Sequence, residues 1–327
     1  MIYFDNAAVV PPHPDCLTWL KEILSRTPVN QESTHAAGRA TKAMLEQAGE
    51  RLIQALCPKW NGGTAIFAAS GSDAFNLLAQ AAEWGDGKAK VSALEHPALI
   101  AAASRAGGRL SAWTHVQSEL GSFGVPVAGE VVMCDTIQSA GKMPLPEADI
   151  VTVSGHKLGV WGGAALLLRP SCGVKLDVAA LRHKEYRYGR VEPVQALMLA
   201  AAAEAWCERM TENLERVAAI NHFLRGSLPD GVVATIPEAE ASPYILHLRM
   251  IGKQGAVIAR MLSGRAVMTS PSSACQAEAG GPSAAMTAIG FHGKSSFEGL
   301  RLSFSPHNTI DEGKTFVNIL NDVLGDY

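Results

Sequence analysis

Asp149-Ile150-Val151-Thr152-Val153-Ser154-Gly155-His156-Lys157-Leu158-Gly159 is the stretch on which the reading of this chain turns. Its first half is short, apolar and β-branched, the signature of a strand buried on both faces. Its second half sets a lysine just past that strand, among glycines and small polar residues. A solubilising charge has no need of such a setting. Desolvation lowers the pKa of a lysine and exposes the neutral amine that Schiff-base chemistry requires. Ser154 and His156 are placed to donate hydrogen bonds to a phosphate beside it. The other reading is an exposed turn next to a structural histidine.

Working outward, further short apolar runs lie at 64 to 69, 90 to 94, 130 to 135 and 164 to 169, each with a glycine, polar or proline boundary. Residues 41 to 56 carry Met44, Leu45, Ala48, Leu52, Ala55 and Leu56 at helical spacing. A long helix is predicted from Pro193, a favourable first-turn residue, with Trp206, Met210, Leu214, Val217 and Leu224 on one face. Past Gly226, residues 244 to 250 alternate as a half-buried strand does, and 299 to 305 read as another. Strands alternating with helices predict an α/β fold: a three-layer αβα large domain with a mainly parallel sheet, plus a smaller α+β domain. We place the large domain at 12–205 and the small one at 206–327 together with residues 1–11.

The bulk properties exclude several classes. The chain has 327 residues, 47% of them hydrophobic and 18% charged, with a formal net charge of −3, so neither nucleic acid nor a membrane surface is an expected partner. No apolar run reaches the roughly 20 residues that span a bilayer, and the first residues lack the pattern of a signal peptide. Six cysteines at 16, 57, 134, 172, 207 and 275 show no CxxC pair and no metal-ligand spacing. They read as free thiols of a cytoplasmic protein with no metal site.

Three other strand ends bear on Lys157. Val131-Val132-Met133-Cys134-Asp135 is a buried strand closing on a carboxylate, and a buried carboxylate needs a partner. In a pyridoxal phosphate site that partner is the protonated ring nitrogen, whose charge sustains the electron sink. Gln138 follows within reach of the ring's phenolic oxygen. Alternatively, Asp135 caps a helix starting at Thr136. Ser70-Gly71-Ser72-Asp73 opens an apolar helix, and a helix N-terminus presents unpaired N–H groups to a phosphate. His96, in Glu95-His96-Pro97, either stacks on a cofactor ring or is structural.

Taken together, these segments resemble the class V aminotransferase group of fold-type I enzymes, and within it the cysteine desulfurases. The resemblance runs nearly end to end. It is carried by YFDNAA at 3 to 8, NQESTHAAGR at 30 to 39, SGSDAFN at 70 to 76, EHPAL at 95 to 99, CDTIQSAGK at 134 to 142 and SGHKLGVWGGAALLLR at 154 to 169. It implies pyridoxal 5'-phosphate on Lys157, with Asp135 at the ring nitrogen, Gln138 at the phenolic oxygen and His96 as stacking acid or base. Ser154, His156 and the turn Gly71-Ser72-Asp73 would surround the phosphate. It also implies a homodimer, and the amino acid cysteine or a relative such as selenocysteine as substrate.

Met268-Thr269-Ser270-Pro271-Ser272-Ser273-Ala274-Cys275 lies in a small-residue segment running to Ser283, the composition of a mobile surface loop on which a thiol can react. It resembles the cysteine-bearing loop of the desulfurases, whose thiolate takes the substrate's sulfur as a persulfide, to be passed to a sulfur-acceptor protein. Arg301 matches the family arginine that grips the substrate carboxylate, a task suited to a bidentate guanidinium; otherwise it is a surface arginine of a strand edge. Three features depart from the pattern. His96 and Asp135 are only 39 residues apart, and the missing part includes the family's Asn-Asn-Glu segment. Asp73 and Ala74 stand where the family has threonine and glutamate. Arg187-Tyr188-Gly189-Arg190 lacks the threonine that reaches a partner's phosphate, leaving Arg187 or Arg190 to supply charge. Two other readings follow from these departures: a class V aminotransferase or lyase that does not use the thiol, or a quiet homologue that serves as a binding partner.

Overall fold

The computed structural model describes residues 1–80, 84–170, 172, 190–271 and 281–327. In chain order the elements begin with β1 (Ile2–Tyr3), α1 (Cys16–Ser25), α2 (Ala36–Leu56), β2 (Thr64–Ala68), α3 (Gly71–Gln80), β3 (Lys90–Val91) and α4 (Pro97–Ala103). Next come β4 (Leu110–Thr114), β5 (Val131–Asp135), β6 (Ile150–Ser154), β7 (Ala164–Leu168), α5 (Pro193–Glu208) and α6 (Met210–Gly226). The remainder are β8 (Val232–Ala234), β9 (Ile245–Met250), α7 (Gly255–Gly264), β10 (Val267–Met268), α8 (Ala284–Ala288), β11 (Gly299–Ser303) and α9 (Ile310–Asp326).

The chain divides into two compact units. One comprises Met1–Val10, Val116–Gly124 and Thr211–Tyr327, the other Pro11–His115 and Val125–Met210. The expected boundaries at 11/12 and 205/206 thus fall at 10/11 and 210/211, and residues 116–124, assigned from the sequence to the large domain, join the other unit.

The larger unit is built on a six-stranded sheet in the order β2-β7-β6-β5-β4-β3. β3 to β6 run parallel, and β7 alone runs against its neighbours β6 and β2. β4, β6 and β7 are buried along their whole length, and β7 is accordingly apolar throughout, while the polar groups of β4 and β6 are serine and threonine hydroxyls. The core joins Ile66, Leu110, Val131, Met133, Ile150 and Leu166 of the sheet to Phe75, Leu78 and Leu99 of α3 and α4. The run expected at 90 to 94 is a strand only over Lys90 and Val91, because a turn at Ser92 ends it.

In the smaller unit β9 is flanked by antiparallel β11 and β8, and β1 pairs in parallel with β10. β9 is buried throughout except at Arg249, so the expected half-buried strand is in fact covered on both faces. The single helix predicted from Pro193 is two, α5 and α6, parted at Arg209 where no proline or glycine marks the break. Trp206, Val217 and Leu224 are buried as predicted, whereas Met210 and Leu214 are only partly covered.

Candidate active site

Open parallel sheets bind ligands beyond the carboxyl ends of their strands. In the larger unit that edge gathers the segment after β2 with Gly71-Ser72-Asp73, the segment after β3 with His96, Asp135 and Gln138 at the end of β5, and Lys157 past β6. Lys157 lies half-buried in a single 3-10 turn, Gly155–Lys157, directly after buried Ser154, while His156 is exposed. A side chain at Gly155 would meet the Gly162 carbonyl oxygen at 2.3 Å, so only glycine lets the turn close this tightly. The Trp206 indole donates to the Leu158 carbonyl at 3.0 Å and pins the turn from α5.

Asp135 does not cap a helix. Thr136 to Gly141 form turns, and Asp135 Oδ1 accepts from the Thr152 hydroxyl at 2.8 Å and the Ile137 backbone N–H at 3.0 Å. Both bonds fall on Oδ1 and fix the plane of a carboxylate that is almost wholly buried. Gln138 is buried in the same turn. His96 precedes α4 and its Nδ1 accepts from the Ala98 N–H at 3.1 Å, which leaves the ring proton on Nε2. Burial lowers the His96 pKa; Lys157 pushes the same way and Asp135 opposes.

Asp73 turns away from the N-terminal end of α3. Its carboxylate turns back to accept from the Ala69 N–H at 2.9 Å, and its own N–H is taken by the Ser70 hydroxyl at 3.1 Å. The mouth of α3 is then left to Gly71 and exposed Ser72. A recess at this edge is lined by Ala69, Asp73, Gly163, Arg190 and Gln195, so Arg190 is the described cation beside the turn. Arg187 lies outside the described residues.

Four groups here carried no signal in the sequence. Glu95 is buried beside His96, and burial, reinforced by the Asp135 charge, pushes its carboxyl up to about 8. Its Oε2 is buried without a hydrogen-bond partner among the described residues. Lys142 is fully buried with Nζ 5.8 Å from the centre of the Trp206 ring; burial, then Lys157, lowers its pKa to about 7. His115 follows β4 directly, and Thr152 holds Asp135. Glutamate and lysine read as solvated faces in a sequence, and only the fold encloses them.

Arg301, in β11 of the smaller unit, is 2% exposed and therefore no surface arginine of a strand edge. Its guanidinium donates to Asp5 at 2.7 Å and to the Ser118 carbonyl at 2.8 Å. Its Nε is buried with no partner among the described residues. Ser118 belongs to the β4–β5 connection, whose Glu119 accepts from the Ser283 hydroxyl and lies 3.9 Å from His247. Cys275 lies outside the described residues; the described cysteines 16, 57, 134, 172 and 207 are free thiols. No His, Cys, Asp and Glu cluster able to hold a metal occurs among the described residues.

No family model matches the chain. The chain is 25% identical to the IscS-like cysteine desulfurase of Mycobacterium tuberculosis over 375 aligned positions, covering 95% of this chain and 93% of that protein. It is 26% identical to the putative cysteine desulfurase NifS of Bacillus subtilis, covering 95% and 92%. The NifS-like protein of Rickettsia africae superposes with a TM-score of 0.82 at 17% identity over 99% of both chains. The fold is that of the NifS-like, class V aminotransferase-type proteins. On this NifS-like scaffold the chain is short: 375 aligned positions against 327 residues mean that the relative carries residues this chain lacks.

Proposed function

We propose that this chain is a pyridoxal phosphate-dependent enzyme of the cysteine desulfurase type, which takes sulfur from cysteine, or selenium from selenocysteine, and leaves alanine. The gathering of Lys157, Asp135 and His96 at one edge of a parallel sheet carries the reading. Curated relatives named cysteine desulfurases add to it.

The donor set suits the cofactor. Asp135 is a buried anion with an ordered carboxylate, fit to hold a protonated ring nitrogen. Gln138 is assigned to the phenolic oxygen. Gly71, Ser72, Ser154 and His156, with Arg190, are assigned to the phosphate, and Asp73 faces away from it. Bound there, pyridoxal phosphate supplies an electron sink for charge arising on the substrate's α-carbon.

Lys157 Nζ would hold the cofactor's carbonyl carbon, and as a free amine it would take the proton from the substrate's α-carbon. His96 offers Nε2 for proton transfer because Nδ1 is spent on the Ala98 N–H. Arg301, held by Asp5 and the Ser118 carbonyl, is assigned to the substrate carboxylate. The Cys275 thiolate attacks the substrate sulfur: an S–S bond forms, the C–S bond breaks and its electron pair stays with carbon. A proton added to that carbon, return of the α-proton from Lys157 and reattachment of Lys157 would then release alanine. The persulfide then passes to a sulfur-acceptor protein. We assign the protein to the cytoplasm and to a homodimer, for which sedimentation as a monomer would be the contrary result. Among the described residues no helix is long and apolar enough to cross a membrane.

The test is direct. Protein mixed with pyridoxal phosphate should show the absorption band of the lysine-bound cofactor, and Lys157→Ala should lose it. Given cysteine and a thiol reductant, the wild type should yield alanine and sulfide in equal amounts, and Cys275→Ala should keep the band but lose sulfide. Equal sulfide from both proteins would move the assignment to an aminotransferase or lyase that does not use the thiol. No band in the wild type would leave the binding-partner reading.

A further inference from the structure

The buried arginine of the smaller unit is paired with a carboxylate that nothing else holds. Arg301 is 2% exposed, and its strand is fixed on both sides. β11 runs in register with β9, where His247 stands opposite Arg301, and the Arg301 backbone exchanges hydrogen bonds with Ser270. Within that frame the Ser118 carbonyl anchors the guanidinium at 2.8 Å. Asp5 is its ion-pair partner, through one oxygen on one nitrogen at 2.7 Å. A buried guanidinium cannot give up its proton, so it needs such a partner. His247 is kept neutral by burial, with Arg301 reinforcing the effect, and Glu119 accepts from the Ser283 hydroxyl instead.

Asp5 is held quite differently. Its backbone is fixed, because its carbonyl accepts from the N–H groups of Ala8 and Val9 at 3.1 and 3.4 Å and it bridges to Ser303. Its side chain is 23% exposed, and among the described residues its carboxylate has no hydrogen bond besides the one to Arg301. The pair therefore has an anchored member, the arginine, and a member that rotation about its own side-chain bonds would carry into solvent. Arg301 also keeps donors to spare: a guanidinium has five N–H groups, and Nε has no partner among the described residues. A free carboxylate can bring two oxygens to such a fork, where Asp5 brings one.

Resting on the assignment of Arg301 to the substrate carboxylate, we infer that Asp5 is an exchangeable stand-in for that carboxylate. It neutralises Arg301 until an α-carboxylate arrives, and then gives up its place. The exchange keeps the buried cation paired in both states, so neither state leaves it without a counter-charge. It also sets a threshold for binding, since the apparent affinity for a carboxylate is lowered by the fraction of time that Asp5 is in place. An amine without a carboxylate has no part in this exchange.

The experiment titrates the whole, cofactor-loaded protein with L-alanine and with ethylamine, which is alanine without its carboxylate, and follows the absorption band. Asp5→Asn keeps the shape of the side chain and weakens its hold on Arg301. The variant should bind alanine about tenfold more tightly than the wild type, with its affinity for ethylamine unchanged. Unchanged binding of alanine would overturn the inference, as would an equal gain for ethylamine. Weaker binding of alanine would overturn it too, since Asp5 would then be a fixed support of Arg301. A second arm needs no cofactor: acetate should raise the melting temperature of Asp5→Asn more than that of the wild type, and equal shifts overturn the exchange. If Asp5→Asn does not fold, refolding it with acetate decides, because acetate should take the place on Arg301 and restore the fold, and no rescue overturns the inference. No absorption band in the wild type would overturn the cofactor reading proposed above and leave the acetate arm to decide on Asp5.

Discussion

At Glu95 a carboxyl group is enclosed one residue before His96, within the field of Asp135. Its folded pKa is raised to about 8 from an ordinary 4.5, so between those values the folded chain holds a proton that the unfolded chain has lost. Stability is therefore full below about 4.5 and falls as pH rises through 8. Glu95→Gln removes the titration and keeps the shape. Urea midpoints at pH 5 and pH 8 should fall further for the wild type than for the variant, by a difference on the order of 1 kcal/mol. An equal fall in both would show that the folded chain does not hold this proton, and would refute the raised pKa. The sequence made Lys157 and Asp135 legible because each closes an apolar run, where a charge stands out against its neighbours. Glu95 and Lys142 stand in polar or glycine-containing stretches where charge is ordinary, so nothing local reveals their burial.

Elements with long apolar runs, β2, β5, β6 and β7, are legible in the sequence to within about a residue. β4 was not, because Leu110-Ser111-Ala112-Trp113-Thr114 mixes apolar and hydroxyl residues; Ser111 is buried with its hydroxyl donating to the Ala128 carbonyl. The break at Arg209 was equally silent, since the apolar spacing runs on across it. Packing between elements shows best at glycines. A side chain at Gly255, the first residue of α7, would come within 1.7 Å of the Gly299 carbonyl oxygen of β11, whereas Gly264 at the other end of α7 has open space. Gly255→Ala must lift the helix from the strand and should cost on the order of 2–4 kcal/mol. Gly264→Ala should be neutral or stabilise by up to about 1 kcal/mol. Denaturant midpoints of the two variants check this, and similar values would refute the close approach.

Over the whole molecule, each unit holds a histidine kept neutral by burial, half-buried His115 in one and fully buried His247 in the other. Burial lowers His115 to about 4 in the larger unit, and burial with Arg301 nearby lowers His247 to about 3 in the smaller. Both unfolded rings take up protons near 6.5 while the folded ones do not. Their contribution is thus fully present above 6.5 and lost as pH falls towards 4 and 3. Lys142, lowered to about 7 from 10.5, makes stability rise between those values. Thermal melts should drop steeply below pH 6, and His247→Gln should shed part of that acid loss; an unchanged slope would contradict it. Lys142→Met should flatten the rise above pH 7.

The smaller unit is assembled from three separate pieces of chain, and Asn6 donates to the Ser303 carbonyl across a sequence separation of 297. During synthesis, β1 therefore emerges long before β10 exists to pair with it. The larger unit has all its strands once β7 has left the ribosome, although the segment 116–124 must then wait for residues made later. Contacts this distant in sequence are slow to form. The order of translation sets the order of assembly: the parallel sheet first, and the chain's opening residues among the last to find their place.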